Sequence, residues 1–476
     1  MGKRAKELER ALKETQLELA KQHLRAFEAA KLSRRTDNWL TNGNGPNADL
    51  RLSLQRMVNR HQDLVDSDPW ASKAVAVVIN NWVGDGIAGA PVGATRRYAD
   101  GYREWAESTD CDWTGQHNFY GLQSLIARTV AVRGSCLVRR RFDEAQLARG
   151  LSPLQLQVME PDYLDLTKDD GAKIRFGKQY ADSGKLEGYW IRLSHPGESD
   201  WTGSIRAQSE FVNASEICHV YDVRRPGQAT GVPFGVAALL KLRDVSDRDA
   251  AQLLKDKLAA CFMAFVSDAD ADAVASGTEL LDTLEPGVIE NLPPGKSITF
   301  AQPPTSGDYV ANQKYHLLSI AQAYEITYEA LTGDLGNVNF SSGRMGWMEM
   351  RRAVARWRWG IMIPQLLNRV AGWYRDAAAM SGTGRATARF EWTPPITWLV
   401  DPAREIPAYI DAVRAGFMSL SEVQRMLGYV PELVIQELGA DMDRARAAGL
   451  KLDVDLASTP GTVRPLPVDA KTQSIA

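Results

Sequence analysis

Apolar side chains recur at helical spacing between residues 49 and 82, where Ala74, Val75, Val78, Ile79 and Trp82 share a face and Asp68-Pro69 supplies an N-cap and first-turn proline. A further helix is expected near 122–129. From 130 to 223 the pattern shortens to apolar runs at 130–132, 136–138, 156–159, 189–193 and 217–221, separated by Gly, Pro, Asp and Ser clusters, which predicts strands and turns. A long helix over 233–262 carries Leu239, Leu242, Ala250, Leu253 and Leu258 on its apolar side, with Asp244 and Arg248 paired at i,i+4. Short strands broken by Glu285-Pro286-Gly287, Leu292-Pro293-Pro294-Gly295 and Gln302-Pro303-Pro304 follow over 263–308, and helical spacing resumes over 311–331.

A loop over 332–342 precedes a long helix expected to reach about residue 379 and to kink at Pro364, which lacks an amide hydrogen. Three small helices then begin at Asp401-Pro402, at the capping box Ser419-Leu420-Ser421-Glu422 and at Pro431, the last stopping near Gly449. The Pro-, Thr- and Asp-rich stretch after Ser458 reads as a tail. At the other end, residues 3–36 carry Leu8, Leu12 and Leu19 among many charges and read as an amphipathic arm, which Asn42-Gly43-Asn44-Gly45-Pro46-Asn47 separates from the rest as a linker.

With 476 residues and 44% hydrophobic content the chain can bury several cores, which predicts two to four structural units of α+β class. Its 56 basic and 59 acidic side chains nearly cancel, at a formal −3, so a protein built to grip phosphates over a large surface is disfavoured. Cys111, Cys136, Cys218 and Cys261 form no CxxC pair, the usage of a reducing cytoplasm. No secretory signal is read after Met1, and no apolar run approaches the roughly 20 residues that cross a bilayer, so no membrane partner is expected.

Two glycine motifs invite a nucleotide reading. Gly84-Asp85-Gly86-Ile87-Ala88-Gly89 matches GxGxxG, but it follows a helical pattern and runs into Pro91, so a helix-ending turn is expected. Gly295-Lys296-Ser297 resembles the end of a P-loop, yet Pro293 and Pro294 remove amides that would cradle phosphate, which favours a hairpin turn. His23, His61, His117, His195, His219 and His316 show no metal spacing, and no nucleophile-base pair or paired carboxylates can be nominated; catalytic, cofactor and metal residues are therefore expected to be none. Arg344, Arg351, Arg352, Arg356, Arg358 and Arg369 interleave with Trp347, Trp357, Trp359 and Trp373 on the long helix. Because they spread round all its faces, the expectation is that the arginines pair with acidic groups of a neighbouring subunit while the tryptophans fill a core.

Read in order, several segments resemble the portal proteins of lambda-type tailed bacteriophages. They are Asn80-Asn81-Trp82-Val83-Gly84-Asp85-Gly86-Ile87, Gly188-Tyr189-Trp190 with His195-Pro196-Gly197, Arg224-Arg225-Pro226-Gly227-Gln228 with Gly231-Val232-Pro233, and Lys257-Leu258-Ala259-Ala260-Cys261-Phe262. Pro286-Gly287, Leu292-Pro293-Pro294-Gly295, Leu331-Thr332-Gly333-Asp334 and Asn339-Phe340-Ser341-Ser342 complete the series. The resemblance implies a non-enzymatic subunit in a ring of about twelve copies. That ring sits in the virion at a capsid vertex, is assembled in the bacterial cytoplasm, and passes double-stranded DNA during packaging and ejection. Implied partners are the terminase large subunit, the major capsid protein and scaffold, and a head-completion or adaptor protein.

The implied organisation is a charged arm (1–48), the first part of a wing (49–234), a stem helix (235–262), a clip (263–308), a second stem helix (309–331), a channel loop (332–342), the rest of the wing (343–400), a crown (401–452) and a tail (453–476). By the same resemblance Gly336, Asn337, Val338, Asn339, Phe340, Ser341 and Ser342 contact DNA in the channel. Their short polar groups suit a contact that touches phosphate without holding it. The competing readings are a nucleic-acid-processing enzyme using the Arg/Trp helix, and an adaptor that binds a protein through its N-terminal helix.

Overall fold

A computed structural model describes residues 12–15, 34, 41–198, 208–260, 264–268, 296–300, 309–336, 338–382, 388–396, 399 and 401–450. By its internal contacts the chain divides into one unit up to Leu52 and a second from Ser53 onward. The elements run α1 (Pro46–Ser67), α2 (Pro69–Trp82), β1 (Ala88–Val92), α3 (Arg96–Glu107), α4 (Phe119–Arg133), β2 (Ser135–Phe142), α5 (Glu144–Ala148) and β3 (Leu154–Met159). Then come β4 (Ile174–Arg175), β5 (Lys178–Tyr180), β6 (Leu186–Arg192), β7 (Ser209–Asn213), β8 (Ile217–Tyr221), α6 (Leu239–Ala260), β9 (Ala264–Asp268) and β10 (Lys296–Phe300). The C-terminal part holds α7 (Tyr309–Ala323), α8 (Tyr328–Thr332), α9 (Phe340–Trp357), α10 (Asn368–Met380), β11 (Arg389–Thr393), α11 (Pro402–Arg414), α12 (Leu420–Met426) and α13 (Pro431–Ala447).

Local chemistry sets many of these boundaries. Asp68 is extended, its carboxylate accepts from the Ala71 amide at 2.8 Å, and Pro69 fills the first turn, so α1 stops and α2 starts there. Asn118 caps α4 in the same way, and Gly134 ends it at φ +90. A β-carbon on Gly134 would lie 2.7 Å from the Val232 carbonyl carbon, so the backbone approach needs glycine for two reasons.

A three-stranded antiparallel sheet of order β3-β2-β8 pairs Leu137 with Met159 and Val138 with Cys218, and a four-stranded sheet runs β4-β5-β6-β7. Between these two sheets Leu137, Leu164, Tyr189, Ile191, Val212 and Ile217 form a small core. The main core is larger and joins α2, α3, α4 and the three-stranded sheet to α7, α9 and α10. Its centre is aromatic: Trp82 stacks on Trp357 with ring centres 4.2 Å apart and takes the Phe234 ring edge-on at 4.9 Å. A second knot joins Tyr98, Tyr102 and Trp105 of α3 to Tyr374 of α10.

Pro364 lies inside a ten-residue π-helical stretch, Arg358–Leu367, that joins α9 to α10. Wider turns absorb the missing amide donor there. The same stretch aims Gln365 at β8, where its side chain both accepts from the Tyr221 amide at 3.0 Å and donates to the Tyr221 carbonyl at 3.1 Å. Both backbone groups of Tyr221, the last residue of the edge strand β8, are thereby satisfied.

Several expectations are corrected. Residues 130–132 are the last turn of α4 rather than a strand, because an apolar run of three has no period of its own and all three face the core. Helix α1 begins at Pro46, inside the segment expected to be a linker. The helix expected over 311–331 divides: α7 ends at Ala323, Glu325 takes φ +52, and Thr327 caps the short α8. Phe340, Ser341 and Ser342, expected in the loop, form the first turn of α9. Strand β11, missed by pattern, pairs antiparallel with β1 from Ala88–Thr393 to Val92–Arg389 and ties the two ends of this layer together. Arm residues 3–11, 16–33 and 35–36 and the turn at 292–295 lie outside the described residues, while Lys296 and Ser297 belong to β10, paired with β9.

Candidate functional site

The loop between α8 and α9 is built by caps at both ends. Thr327 begins α8 by accepting from the Ala330 amide, and Gly333, at φ +73, ends it. The chain then turns through Thr332 Oγ1, which accepts from the Asp334 amide at 3.1 Å, and through the Asp334 carboxylate, which accepts from the Gly336 amide at 3.0 Å. At the far end Asn339 Oδ1 accepts from the Ser342 amide at 2.8 Å, while Ser342 Oγ accepts from the Asn339 amide at 3.2 Å, a reciprocal capping box.

This geometry sorts the seven expected contact residues. Gly336, Val338 and Asn339 lie in the loop, Asn337 lies outside the described residues, and Phe340, Ser341 and Ser342 are helical. Asn339 and Ser342 spend their hydrogen-bonding groups on the cap; Ser341 and Gly336 are exposed. The loop's one charged side chain is Asp334, and the first cation beyond it, Arg344, faces Glu405 at 3.9 Å. The surface offered here is close to neutral. It suits touching a polyanion more than retaining one.

The arginines of the long helix serve as struts inside the subunit. Arg358 donates to the carbonyls of Trp82 at 2.8 Å and Asn81 at 2.7 Å, capping the C-terminus of α2, and burial, with repulsion from Arg351, pushes its guanidinium down to about 10. Arg356 reaches Asp222 at 3.5 Å and Glu325 at 3.2 Å, Arg352 pairs with Glu349, and Arg369 donates to the Ala214 carbonyl. These partners all come from the same chain. Trp357 and Trp373 are buried as expected, whereas Trp359 is 58% exposed.

The nucleotide-like motif is likewise structural. Gly84 at φ +54 and Gly86 at φ +113 turn the chain after α2, and a β-carbon on Gly86 would come within 2.5 Å of the Tyr120 ring. The Ile87 amide donates to Gln123 Oε1 at 2.8 Å, so it is not offered to a phosphate. His61 is also a strut, with Nδ1 against the Val132 carbonyl at 2.9 Å and Nε2 against the Tyr324 hydroxyl at 2.7 Å, and burial lowers its pKa.

Two clusters were not legible in the sequence. Glu160, Asp162 and His195 bring possible ligand atoms within 4.8 Å of one another, but Arg133 already pairs with Asp162 at 2.5 Å and with Glu160 at 3.5 Å. A guanidinium stands where a cation would. Lys178, on β5, is buried beneath Tyr189 and Tyr221 and donates to the Tyr221 hydroxyl at 3.3 Å; burial pushes its ammonium down to about 7. The β5–β6 register sets Lys178 opposite Tyr189, and the packing of the two sheets brings in Tyr221 from 43 residues away, a separation that gave no spacing signal.

Capped loops, internal struts and a continuous aromatic core describe a structural subunit of mixed α and β construction. The family model "Phage portal protein, lambda family" matches residues 32–358, more than half of the chain, and the chain belongs to that family. It is accordingly a ring-forming portal protein, a structural part of the capsid's DNA packaging and ejection channel and not an enzyme. The chain is similar to the "Probable portal protein" of Halomonas phage phiHAP-1, at 24% identity over 472 aligned residues covering 90% of this chain and 88% of the relative. Among solved structures it is similar to a chain in the neck of a native GTA particle computed with C12 symmetry, at 16% identity and TM-score 0.48, covering 80% of this chain and 94% of that one. It is also similar to an HK97 family phage portal protein from Corynebacterium diphtheriae, at 8% identity and TM-score 0.36, covering 73% and 97%.

Proposed function

We propose that about twelve copies of the chain close a ring, and that double-stranded DNA passes along its axis against the loop that joins α8 to α9. In this reading α6 and α7 form the stem, β9 and β10 belong to the clip, α11 to α13 form the crown, and the main core with its sheets forms the wing. The terminase large subunit, the capsid protein with its scaffold, and a head-completion protein dock on the assembled ring at a capsid vertex. The observation that carries the reading is the loop itself: a nearly neutral turn, capped at both ends, presenting Gly336 and Ser341 to solvent. Each strong phosphate contact would displace counterions and slow translocation, so a conduit benefits from few of them.

Deleting residues 335–338 is expected to leave rings intact in negative-stain images while reducing the DNA packaged or retained per particle. Loss of rings on that deletion would make the loop an assembly element and overturn its assignment. Wild-type protein that stays monomeric at all concentrations and salts would overturn the ring.

A further inference from the structure

Arg352, Arg356, Arg358 and Arg369 are committed inside the subunit, but two arginines further along the chain are not. A cavity of about 670 Å³ opens between the π-helical stretch, α10 and β11, a size that holds a small organic ligand. Asn368 and Arg375 stand seven residues apart on one face of α10, and Arg389 enters from β11, where its pairing with Val92 of β1 sets its place. The small side chains of Ala371 and Ala388 leave the space between these groups open. Trp359 lines the same cavity and is more than half exposed.

The polar groups left over in this cavity are donors. Its one carboxylate among the described residues, Glu391, pairs with Arg425. Asn368 Oδ1 accepts from Trp392 Nε1 at 2.8 Å, which leaves the Asn368 amide nitrogen as the uncommitted group. Neither Arg375 nor Arg389 has an ion-pair partner among the described residues. Two idle guanidinium forks and an amide donor beside an exposed indole call for a ligand with an acceptor-only anion and a flat face. A nucleotide has both, because phosphate oxygens accept from arginine forks and any base can stack on an indole. An acidic peptide fits less well, since each of its residues also brings an amide N–H that a wall of donors leaves unsatisfied. Duplex DNA fits less well again, because its base faces are covered within the stack.

We propose that this cavity binds a nucleotide, with the base stacked on Trp359 and the phosphate held by Arg375, Arg389 and the Asn368 amide. The nucleotide is either free or one unit of an unpaired strand, and both present the same two groups. The 18 residues of α9, about 27 Å of helix, separate Trp359 from the α8–α9 loop. The proposal therefore does not depend on the channel reading.

The test titrates the purified full-length protein at low salt with two probes, read by fluorescence anisotropy: the fluorescent etheno analogue of AMP, and a dye-labelled single strand of about six deoxyadenosines. Saturable binding is expected; binding of the analogue identifies a free nucleotide as the ligand, and binding of the strand alone an unpaired strand. Trp359→Ala and, separately, Arg389→Ala should each weaken it about tenfold, the usual effect of removing a stacking platform or a charged phosphate contact. Arg389→Lys should restore only part of the loss, because it keeps the charge without the fork. Both side chains are exposed, so the melting temperature should not change and lost binding is not a lost fold. Deleting residues 335–338 should leave the binding as it was. No binding of either probe, binding unchanged by Trp359→Ala or by Arg389→Ala, or binding lost with residues 335–338 would overturn the proposal. So would a polyglutamate peptide that binds more tightly than both probes and is released by the same two substitutions, which would assign the cavity to an acidic protein partner.

Discussion

The region around the main core and the three C-terminal helices are folded by different means. In the first, Trp82, Trp357, Tyr98, Tyr102 and Tyr374 are all almost wholly buried in one continuous core. Helix α11 buries no residue fully and α13 only Pro431 and Ala445, while Ile406, Ile410, Phe417 and Ile435 stand at 45–85% exposure. Both regions form amphipathic helices, those at the C-terminus starting from Pro402, the Ser419 cap and Pro431, so helix formation is not what separates them. The difference is tertiary: one region finds enough apolar surface within the chain, and the other presents its apolar face outward. A ring subunit is expected to divide in this way, with the self-sufficient part carrying the part completed by assembly.

The comparison breaks most readily at the main core. Trp357→Ala should destabilise the isolated subunit by about 3–5 kcal/mol, the usual range for emptying a large buried aromatic site, measured by urea unfolding. A loss below about 1 kcal/mol would mean that the Trp82–Trp357 stack is not central.

Arg358→Ala should remove about 1.5–3 kcal/mol. It leaves the Asn81 and Trp82 carbonyls without their donor and sharpens the view that the arginines of this helix are internal struts. Unchanged stability with weakened DNA retention would restore a nucleic-acid role to Arg358.

Lys178 tests the smaller core by pH. Its folded pKa is about 7, below the ordinary lysine value of 10.5, so the folded state binds fewer protons than the unfolded state between those values. The penalty for burying it is therefore complete below about pH 7 and fades as pH rises, at up to about 1.4 kcal/mol per pH unit. Tyr189 and Tyr221 pack against it and His219 stands nearby; burial raises both tyrosines, and burial with the Lys178 charge holds His219 well below its ordinary value. The tyrosines act with the opposite sign at alkaline pH, so the measurement is the difference between wild type and Lys178→Met. That variant should be the more stable of the two at pH 7 and lose its advantage by pH 10. An advantage that does not shrink over this range would show that Lys178 does not titrate there.

The smallest effect is expected at the surface of the C-terminal helices. Ile410→Ser should change the isolated subunit's stability by no more than about 0.5 kcal/mol while reducing ring yield in size-exclusion chromatography. A large loss in the monomer would dissolve the contrast between the two regions.

Where local chemistry decides, the sequence was informative. Asp68-Pro69, Ser419-to-Glu422 and Pro431 begin helices where the chain says they do, and 217–221 is a strand because its apolar run is bounded on both sides. The loop before α9 was visible as a run of Gly, Asn and Ser, but not its end. Asn339 and Ser342 looked like ligand-binding polar groups, and only their mutual geometry shows that they cap a helix. Arginine spacing similarly suggested an external partner, because sequence shows the charge and not the carbonyl 277 residues away that Arg358 caps.

By itself the sequence determined the class of structure, the helix starts, and a family signature spread over most of the chain. These depend on propensity, capping and periodicity, all of which act over a few residues. Tertiary structure alone decided the pairing of β1 with β11, the burial of Lys178, the stacking of Trp82 on Trp357 and the use of the arginines as struts. Each of these joins distant segments through packing and burial, and neither quantity exists until the chain has folded.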